Sequence, residues 1–246
     1  MKISLIVALL YMSATVNSQP STGKVSNAAT DTTYIYRTAT QDGTGKYFLG
    51  REIARVMSAT GADWLERPER QLEENTALAI SKMQLKPGDV VADIGAGTGY
   101  YTFRIAAEVP DGKVYAVELQ DELIKYLNAR KKELKTPNVE VVKGDTANVN
   151  LPDNKVDLAI MVDVYHELAW PKEVIRSVSK SLKPTGKILL IEYRGEDPKV
   201  PIKAVHKMTM AQVDKEMRAH GFEPVIKGDF LPIQHFLLYK KIMPGR

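Results

Sequence analysis

The sequence predicts an α/β fold: a doubly wound, mostly parallel seven-stranded sheet with a C-terminal antiparallel hairpin. Three observations carry that expectation. Between residues 86 and 240, short apolar runs alternate with helix-patterned segments. The runs are continuous rather than alternating, which marks strands covered on both faces. After the fifth run the rhythm changes, and two strand-like segments follow one another across a short turn, so they must pair antiparallel.

The elements follow in order. Residues 1–18 carry an early lysine, an apolar run from Ile3 to Met12, and then small and polar residues. This is the order of a secretory signal peptide, with Val16 and Ser18 suited to a cleavage before Gln19. The expectation is an exported, periplasmic protein; an N-terminally anchored or cytoplasmic chain is the alternative. The run is too short to span a bilayer as a mature helix, and no other segment is apolar enough to do so. Residues 19–46, rich in Ser, Thr, Asn and Gly, read as a flexible linker. Residues 47–85 read as an N-terminal helical cover. Ile53, Val56 and Met57 recur at helical spacing before Gly61, and a second helix starts near Pro68 with Leu72, Leu78, Ile80 and Met83 on its apolar side. Residues 86–246 form the main domain. Strands fit 89–95, 113–119, 138–144, 156–163 and 186–193, and helices fit 99–108, 121–134, 172–182 and 209–219. "FEPVIKGDFL" and "QHFLLYKK" make the closing hairpin.

At 246 residues the chain can hold one domain with a substantial core. Its composition, 44% hydrophobic and 26% charged, is that of a globular protein. The net charge of +4 is spread along the chain, as in "RKKELK" (130–135), so no nucleic-acid partner is expected. The absence of cysteine removes disulfides, thiolate metal sites and cysteine nucleophiles together.

In such a sheet, ligands bind beyond the C-terminal strand ends, where the strand order reverses. The first strand of the domain runs directly into "GAGTG", with Gly95, Gly97 and Gly99 at alternate positions. A dinucleotide fingerprint needs G-x-G-x-x-G and a P-loop needs Gly-Lys-Ser/Thr, and neither is present. Glycine admits φ > 0 and close approach of a ligand to the backbone. The helix that follows presents free N–H groups suited to a carboxylate. Asp93 can brace the turn and face a ligand ammonium. Glu118 ends the second strand, where an acid can take ribose hydroxyls. Asp145 ends the third, where an acid can accept from an adenine amino group. Each has a plain structural reading too: a packing turn, a solvated strand-end acid, ordinary Gly-Asp turn chemistry. Their combination points to a nucleoside ligand.

With these residues in view, the chain resembles the class I S-adenosylmethionine-dependent methyltransferases over roughly residues 86–240. "VVADIGAGTGYYT", "VYAVEL", "GDTANVNLP" and "VDLAIMVDVYHEL" resemble that family's first four motifs, and "LKPTGKILLIEYRGED" its approach to the fifth strand. The resemblance implies S-adenosylmethionine as cofactor and says little of the methyl acceptor. A small molecule is expected as partner because the sequence shows no separate macromolecule-recognition domain, with a protein or lipid acceptor as the alternative. It implies that Gly95, Gly97 and Gly99 cradle the methionine part, that Glu118 holds the ribose, and that Asp145 and Thr146 meet the adenine. Asp93, Thr98, Leu119 and Asp163 complete the expected cofactor set.

Methyl transfer is an in-line displacement. Holding the reactants in line is worth about 7–11 kcal/mol, whereas a general base adds about 10²- to 10⁴-fold and only where the acceptor has a proton to lose. The catalytic candidates are Tyr165 and His166 in "DVYHELAW" (163–170), histidine being the residue type there whose unperturbed pKa lies near neutrality. Cofactor packing is the other reading of both. "HELAW" is not H-E-x-x-H, and no other His/Asp/Glu spacing resembles a metal site, so no metal is expected. In the Pro-broken segment after the fifth strand, Arg194 and His206 are the candidates for binding the acceptor, with Lys203 and Lys207 nearby. A solvated basic loop is the alternative there. Two rival functions remain: an exported nucleoside- or cofactor-binding protein without turnover, and an NAD-dependent oxidoreductase, whose fingerprint is missing.

Overall fold

The computed structural model describes residues 33–242. The expected leader and the linker up to residue 32 lie outside the described residues. The main sheet has seven strands in the order β6-β5-β4-β7-β8-β10-β9. They are β4 (Val90–Ile94), β5 (Lys113–Glu118), β6 (Val139–Lys143), β7 (Val156–Val162), β8 (Leu182–Tyr193), β9 (Phe222–Gly228) and β10 (Gln234–Lys241). β4 to β8 pair in parallel, and β10 inserts antiparallel between β8 and β9. This is the architecture the sequence predicts.

The continuous apolar runs have the reason given for them. Neighbouring residues of one strand feed opposite layers, so Val91, Leu189 and Phe236 join one core while Ala92, Ile188, Leu190 and Leu237 join the other. The first layer takes α3 (Thr76–Met83), α4 (Thr102–Glu108) and Leu127 of α5 (Asp121–Glu133). The second takes α6 (Pro171–Ser181) and α7 (Met210–Ala219), through Val174, Ile175, Val178, Val213 and Met217. Thr209 caps α7 by accepting from Gln212 N at 3.1 Å.

The N-terminal region differs from the expectation. Residues 34–54 are neither linker nor helix but a three-stranded antiparallel sheet of β1 (Tyr34–Tyr36), β2 (Gly43–Phe48) and β3 (Arg51–Ala54). Phe48 pairs with Arg51 across a two-residue turn in which Leu49 and Gly50 have φ of 48° and 98°. Positive φ at both central positions is the turn whose twist suits a hairpin. Phe48, Ile53 and Ala54 are buried, whereas Val56, expected on the same helical face, is exposed. The helical cover is confined to a 3-10 turn (Ala59–Gly61), α1 (Ala62–Leu65), α2 (Arg70–Glu74) and α3. Asn75, at φ 53°, separates α2 from α3 and caps α3 with its side chain. The expected continuous helix therefore breaks there, and Leu72 points outward at 83% exposure. Among the described residues, no helix is long and apolar enough to cross a membrane.

Candidate functional site

The strand order reverses between β4 and β7, with β5 and β6 to one side and β8 to the other. The crevice at that switch point is bounded by what leaves the C-terminal ends of β4 and β7: residues 95–99 and 163–167. The two segments touch. A Cβ on Gly95 would fall 2.7 Å from Val164 Cγ2, so only glycine fits there. Gly95, Gly97 and Gly99 all have positive φ, at 71°, 57° and 83°. The amides of Gly95 and Ala96 both donate to Val117 O, which pins the turn to β5.

The acids arrange themselves around this turn. Asp93 is buried and its Oδ2 accepts from Thr102 Oγ1 at 2.6 Å, tying the strand to α4. Burial pushes its pKa up to about 6, against the Thr102 hydrogen bond. Glu118 Oε2 accepts from Gly97 N at 3.0 Å, and its Oε1 from Leu119 N and Gln120 N at 2.7 and 3.0 Å. A carboxylate has about four acceptor positions, so one is left for a ligand hydroxyl rather than the pair the sequence suggests. Leu119 is exposed. Asp145 is exposed and its Oδ1 caps its own turn by accepting from Ala147 N and Asn148 N; Thr146 beside it is also exposed. Thr98 is buried and donates to Glu66 Oε1 at 2.6 Å, so the cover lies directly on the turn.

Asp163 adopts φ 53° just past β7. Its Oδ2 accepts from Gln234 Nε2 at 2.7 Å, while Oδ1 is buried with no hydrogen-bond partner. Burial, reinforced by the negative charges of Glu74 and Glu192, raises its pKa well above the usual carboxylate range. A buried acceptor left open in this way is what a ligand ammonium would satisfy. Around it the chain assembles a network that the sequence did not announce. Glu74, fully buried, takes Arg70 Nε at 2.8 Å, Arg67 at 2.8 Å and the Tyr193 hydroxyl at 2.9 Å.

Tyr165, expected at the site, is fully buried in the second core layer under Arg51, whose guanidinium lies 5.6 Å from its ring centre. It packs among core side chains, the other reading the sequence allows. Arg194 is likewise committed. Its guanidinium donates to the carbonyls of Asp229, Leu231 and Pro232, stapling the turn before β10, so it holds structure and not a substrate. Lys203 pairs with Asp42, and Lys207 donates to the carbonyls of Asp197 and Val200. A cleft of about 450 Å³ opens between residues 40–42 and β3 on one side and residues 203–207 on the other, with Arg51, Glu52, Lys203 and Val205 among its walls.

His166 and His206 do come together, 40 residues apart in sequence. His166 is 2% exposed in a 3-10 turn (Tyr165–Glu167), and its Nδ1 lies 2.6 Å from Glu192 Oε2 on β8. Its Nε2 lies 3.2 Å from His206 Nδ1 and 3.8 Å from Glu167 Oε1. His206 Nδ1 is in turn 3.3 Å from that same Glu167 oxygen. Chain spacing concealed this set, because its members come from two loops and no regular interval separates them. The sequence reading expects no metal; here three side chains, His166, Glu167 and His206, lie close enough together to share an ion.

Comparison with known proteins agrees with the geometry. A family model described as a methyltransferase domain matches residues 85–235. The ubiquinone/menaquinone biosynthesis C-methyltransferase of Ectopseudomonas mendocina is 30% identical over 111 residues, 44% of this chain and 43% of that protein. Phosphoethanolamine N-methyltransferase 1 of Arabidopsis thaliana is 32% identical over 128 residues, 52% of this chain and 26% of that protein. The chain thus aligns with less than half the length of each. Among solved structures, a SAM-dependent methyltransferase from Aquifex aeolicus shares the fold with a TM-score of 0.71 at 24% identity, covering 75% of this chain and 98% of that one.

Proposed function

We propose, from the premise that this chain belongs to the methyltransferase domain family, that it transfers a methyl group to a small-molecule acceptor. The cofactor is S-adenosylmethionine, whose sulfonium makes its methyl carbon open to in-line attack. In this reading Gly95, Gly97 and Gly99 let the methionine part lie on the backbone. Asp163 Oδ1 and Asp93 accept from its ammonium. Glu118 offers its remaining acceptor position to a ribose hydroxyl, with Leu119 alongside, and Asp145 and Thr146 stand where the adenine would reach.

The remaining task of the chain is to hold the acceptor in line, which supplies about 7–11 kcal/mol without any proton transfer. Where the acceptor must lose a proton, the cluster of His166, Glu167 and His206 is the group at hand. Two relatives are named for small-molecule methylation, one at carbon in quinone biosynthesis and one at nitrogen on phosphoethanolamine. That supports a small acceptor and leaves the atom open.

The observation that carries the reading is the glycine turn. Three alternate glycines at positive φ sit at the switch point, with Glu118 bonded into the turn at Gly97 N. Calorimetric titration of the protein with S-adenosylmethionine, S-adenosylhomocysteine and NAD tests it. Binding of both adenosyl ligands, abolished by Gly97→Arg and absent for NAD, is the expected result. Absence of adenosyl binding would overturn the reading.

A further inference from the structure

His166 Nε2, Glu167 Oε1 and His206 Nδ1 converge on one point, with mutual separations of 3.2, 3.3 and 3.8 Å. Each of these atoms can ligate a metal, and all three lie within reach of a single ion. His166 Nδ1 faces Glu192 Oε2 at 2.6 Å, which leaves Nε2 turned toward the other two. A cation at the centre serves all three at once. Four ligands about 2.05 Å from a tetrahedral ion stand roughly 3.3 Å from one another, close to the spacing observed.

The surroundings are built for the same purpose. A metal-bound histidine usually donates its other ring N–H to a carboxylate, and ligating carboxylates are usually hydrogen-bonded in turn. His166 has Glu192 in that place, itself fixed by Tyr165 N at 2.9 Å. The other oxygen of Glu167 accepts from Met57 N at 3.3 Å. The nearest guanidinium, Arg51, donates to His166 O and is neutralised by Glu216, with contacts of 2.8 and 3.0 Å. The two carboxylates, Glu167 and Glu192, balance a divalent charge.

We propose that His166, Glu167 and His206 form a three-ligand site for a divalent first-row transition metal, with Glu192 as the positioning residue. Two imidazoles and one carboxylate are borderline ligands that suit zinc or ferrous iron and leave at least one coordination position open. His166 is sealed in the core, whereas His206 and Glu167 keep some exposure, so the open position lies on their side. The site is two residues beyond Val164, which touches Gly95 of the glycine turn. Resting on the methyltransferase reading, the ion's role is to hold an oxygen or nitrogen of the acceptor and make it easier to deprotonate.

The test uses the full chain stripped with a chelator, titrated with Zn²⁺ against a chromophoric competitor, and loaded separately with Co²⁺ for its visible spectrum. One equivalent of Zn²⁺ should bind, and Co²⁺ should give the strong absorption of four- or five-coordination. His206→Ala and Glu167→Ala should each weaken Zn²⁺ at least 100-fold. Glu192→Gln should weaken it about 10- to 100-fold through His166. Glu140→Gln, on the edge strand β6 at the far side of the sheet, should leave it unchanged. No stoichiometric Zn²⁺ binding, a Co²⁺ spectrum indistinguishable from the free aquo ion, or equal binding by the His206 and Glu167 variants would overturn the proposal and leave a hydrogen-bonded relay. The Co²⁺ spectrum decides the matter even where a variant fails to fold. Cofactor titration of the same samples separates the two readings: metal bound without adenosyl binding refutes the methyltransferase reading alone, and the reverse refutes the metal alone.

Discussion

His166 Nδ1 and Glu192 Oε2 stand 2.6 Å apart, with both side chains buried beneath the C-terminal edge of the sheet. Glu192 also receives Tyr165 N at 2.9 Å, so one carboxylate from β8 fixes two consecutive residues of the loop leaving β7. Glu192→Ala would leave two buried donors unmet, each costing about 1–3 kcal/mol. Glu192→Gln keeps one acceptor and should cost less. Urea unfolding of the two variants should rank them in that order; equal losses would show that the pair does not organise the loop.

Asp93 gives a pH dependence with a definite sign. Its native pKa, pushed up to about 6 by burial, lies above its ordinary 3.8. The native state therefore keeps a proton that the unfolded chain has released between those values, and stability falls as pH climbs through that window. A shift of about two units corresponds to roughly 3 kcal/mol once the pH is above 6. Asp163 acts in the same direction. Asp93→Asn, which can still accept from Thr102, should remove part of the slope and be more stable than the unaltered chain at pH 7. Chemical denaturation between pH 4.5 and 7.5 measures this, and parallel curves for the two proteins would refute it.

The three turn glycines should not be equivalent. A Cβ at Gly99 would lie 2.4 Å from Phe103 Cε2 and 2.8 Å from Leu127 Cδ2, inside the core. At Gly97 it would meet only Leu65 Cδ1, at 3.0 Å. Gly97→Ala thus bears mainly the left-handed backbone cost of about 1–2 kcal/mol, whereas Gly99→Ala adds a clash with ring and aliphatic atoms. Thermal unfolding should place Gly99→Ala clearly below Gly97→Ala.

Much of this was legible in the chain, and the failures have physical reasons. Strands β4 to β7 begin and end within a residue of their sequence-read bounds. β4, β5 and β7 are largely buried apolar runs closed by a charged or turn residue, and β6, at the sheet edge, buries only Val139 but stops at the Gly144 turn. Residues 34–54 were misread because Ile53, Val56 and Met57 happen to fall at helical spacing, while the real signal, Leu49-Gly50 as a two-residue hairpin turn, is one glycine long. At the site, the glycine turn and His166 could be found from spacing to the strand ends. Arg51, Glu74 and Glu216 could not, since nothing local tells a buried ion pair from a solvated one. Arg194 misled for the opposite reason: an arginine at a strand end looks available until its carbonyl partners at 229–232 are seen.

Arg194 provides a test of that distinction. Arg194→Ala releases the carbonyls of Asp229, Leu231 and Pro232, and hydrogen bonds to a charged donor are worth about 1.5–3 kcal/mol. The variant should be destabilised by about that amount, with amide exchange faster across residues 228–234. Its affinity for S-adenosylhomocysteine should be unchanged. Unchanged stability, with exchange across residues 228–234 no faster than in the unaltered chain, would return Arg194 to the candidates for binding the acceptor.

The cover supplies the remaining prediction. Residues 57–66 reach the glycine turn at two places, Leu65 against Gly97 and Glu66 accepting from Thr98 Oγ1 at 2.6 Å, and are tied beside it by Gln120, which bridges Ala59 N and Met57 O at 3.0 Å each. A ligand lying on Gly97 must therefore touch or displace this segment. Its helices are about one turn long, so it is held by these contacts together with Met57 N on Glu167, Arg130 on Glu66 and Arg70 on Leu65 O. Such a segment opens locally at lower free-energy cost than the sheet. Hydrogen exchange should show peptides spanning 57–67 exchanging fast in the free protein and slowing at least several-fold with S-adenosylhomocysteine, while β4 and β7 hardly change. Gln120→Ala should speed exchange in the free protein and leave the ligand-bound rate closer to that of the unaltered chain, because the ligand then provides the missing contact. Protection confined to residues 95–99, with the cover unmoved, would mean that the ligand enters from another side of the crevice.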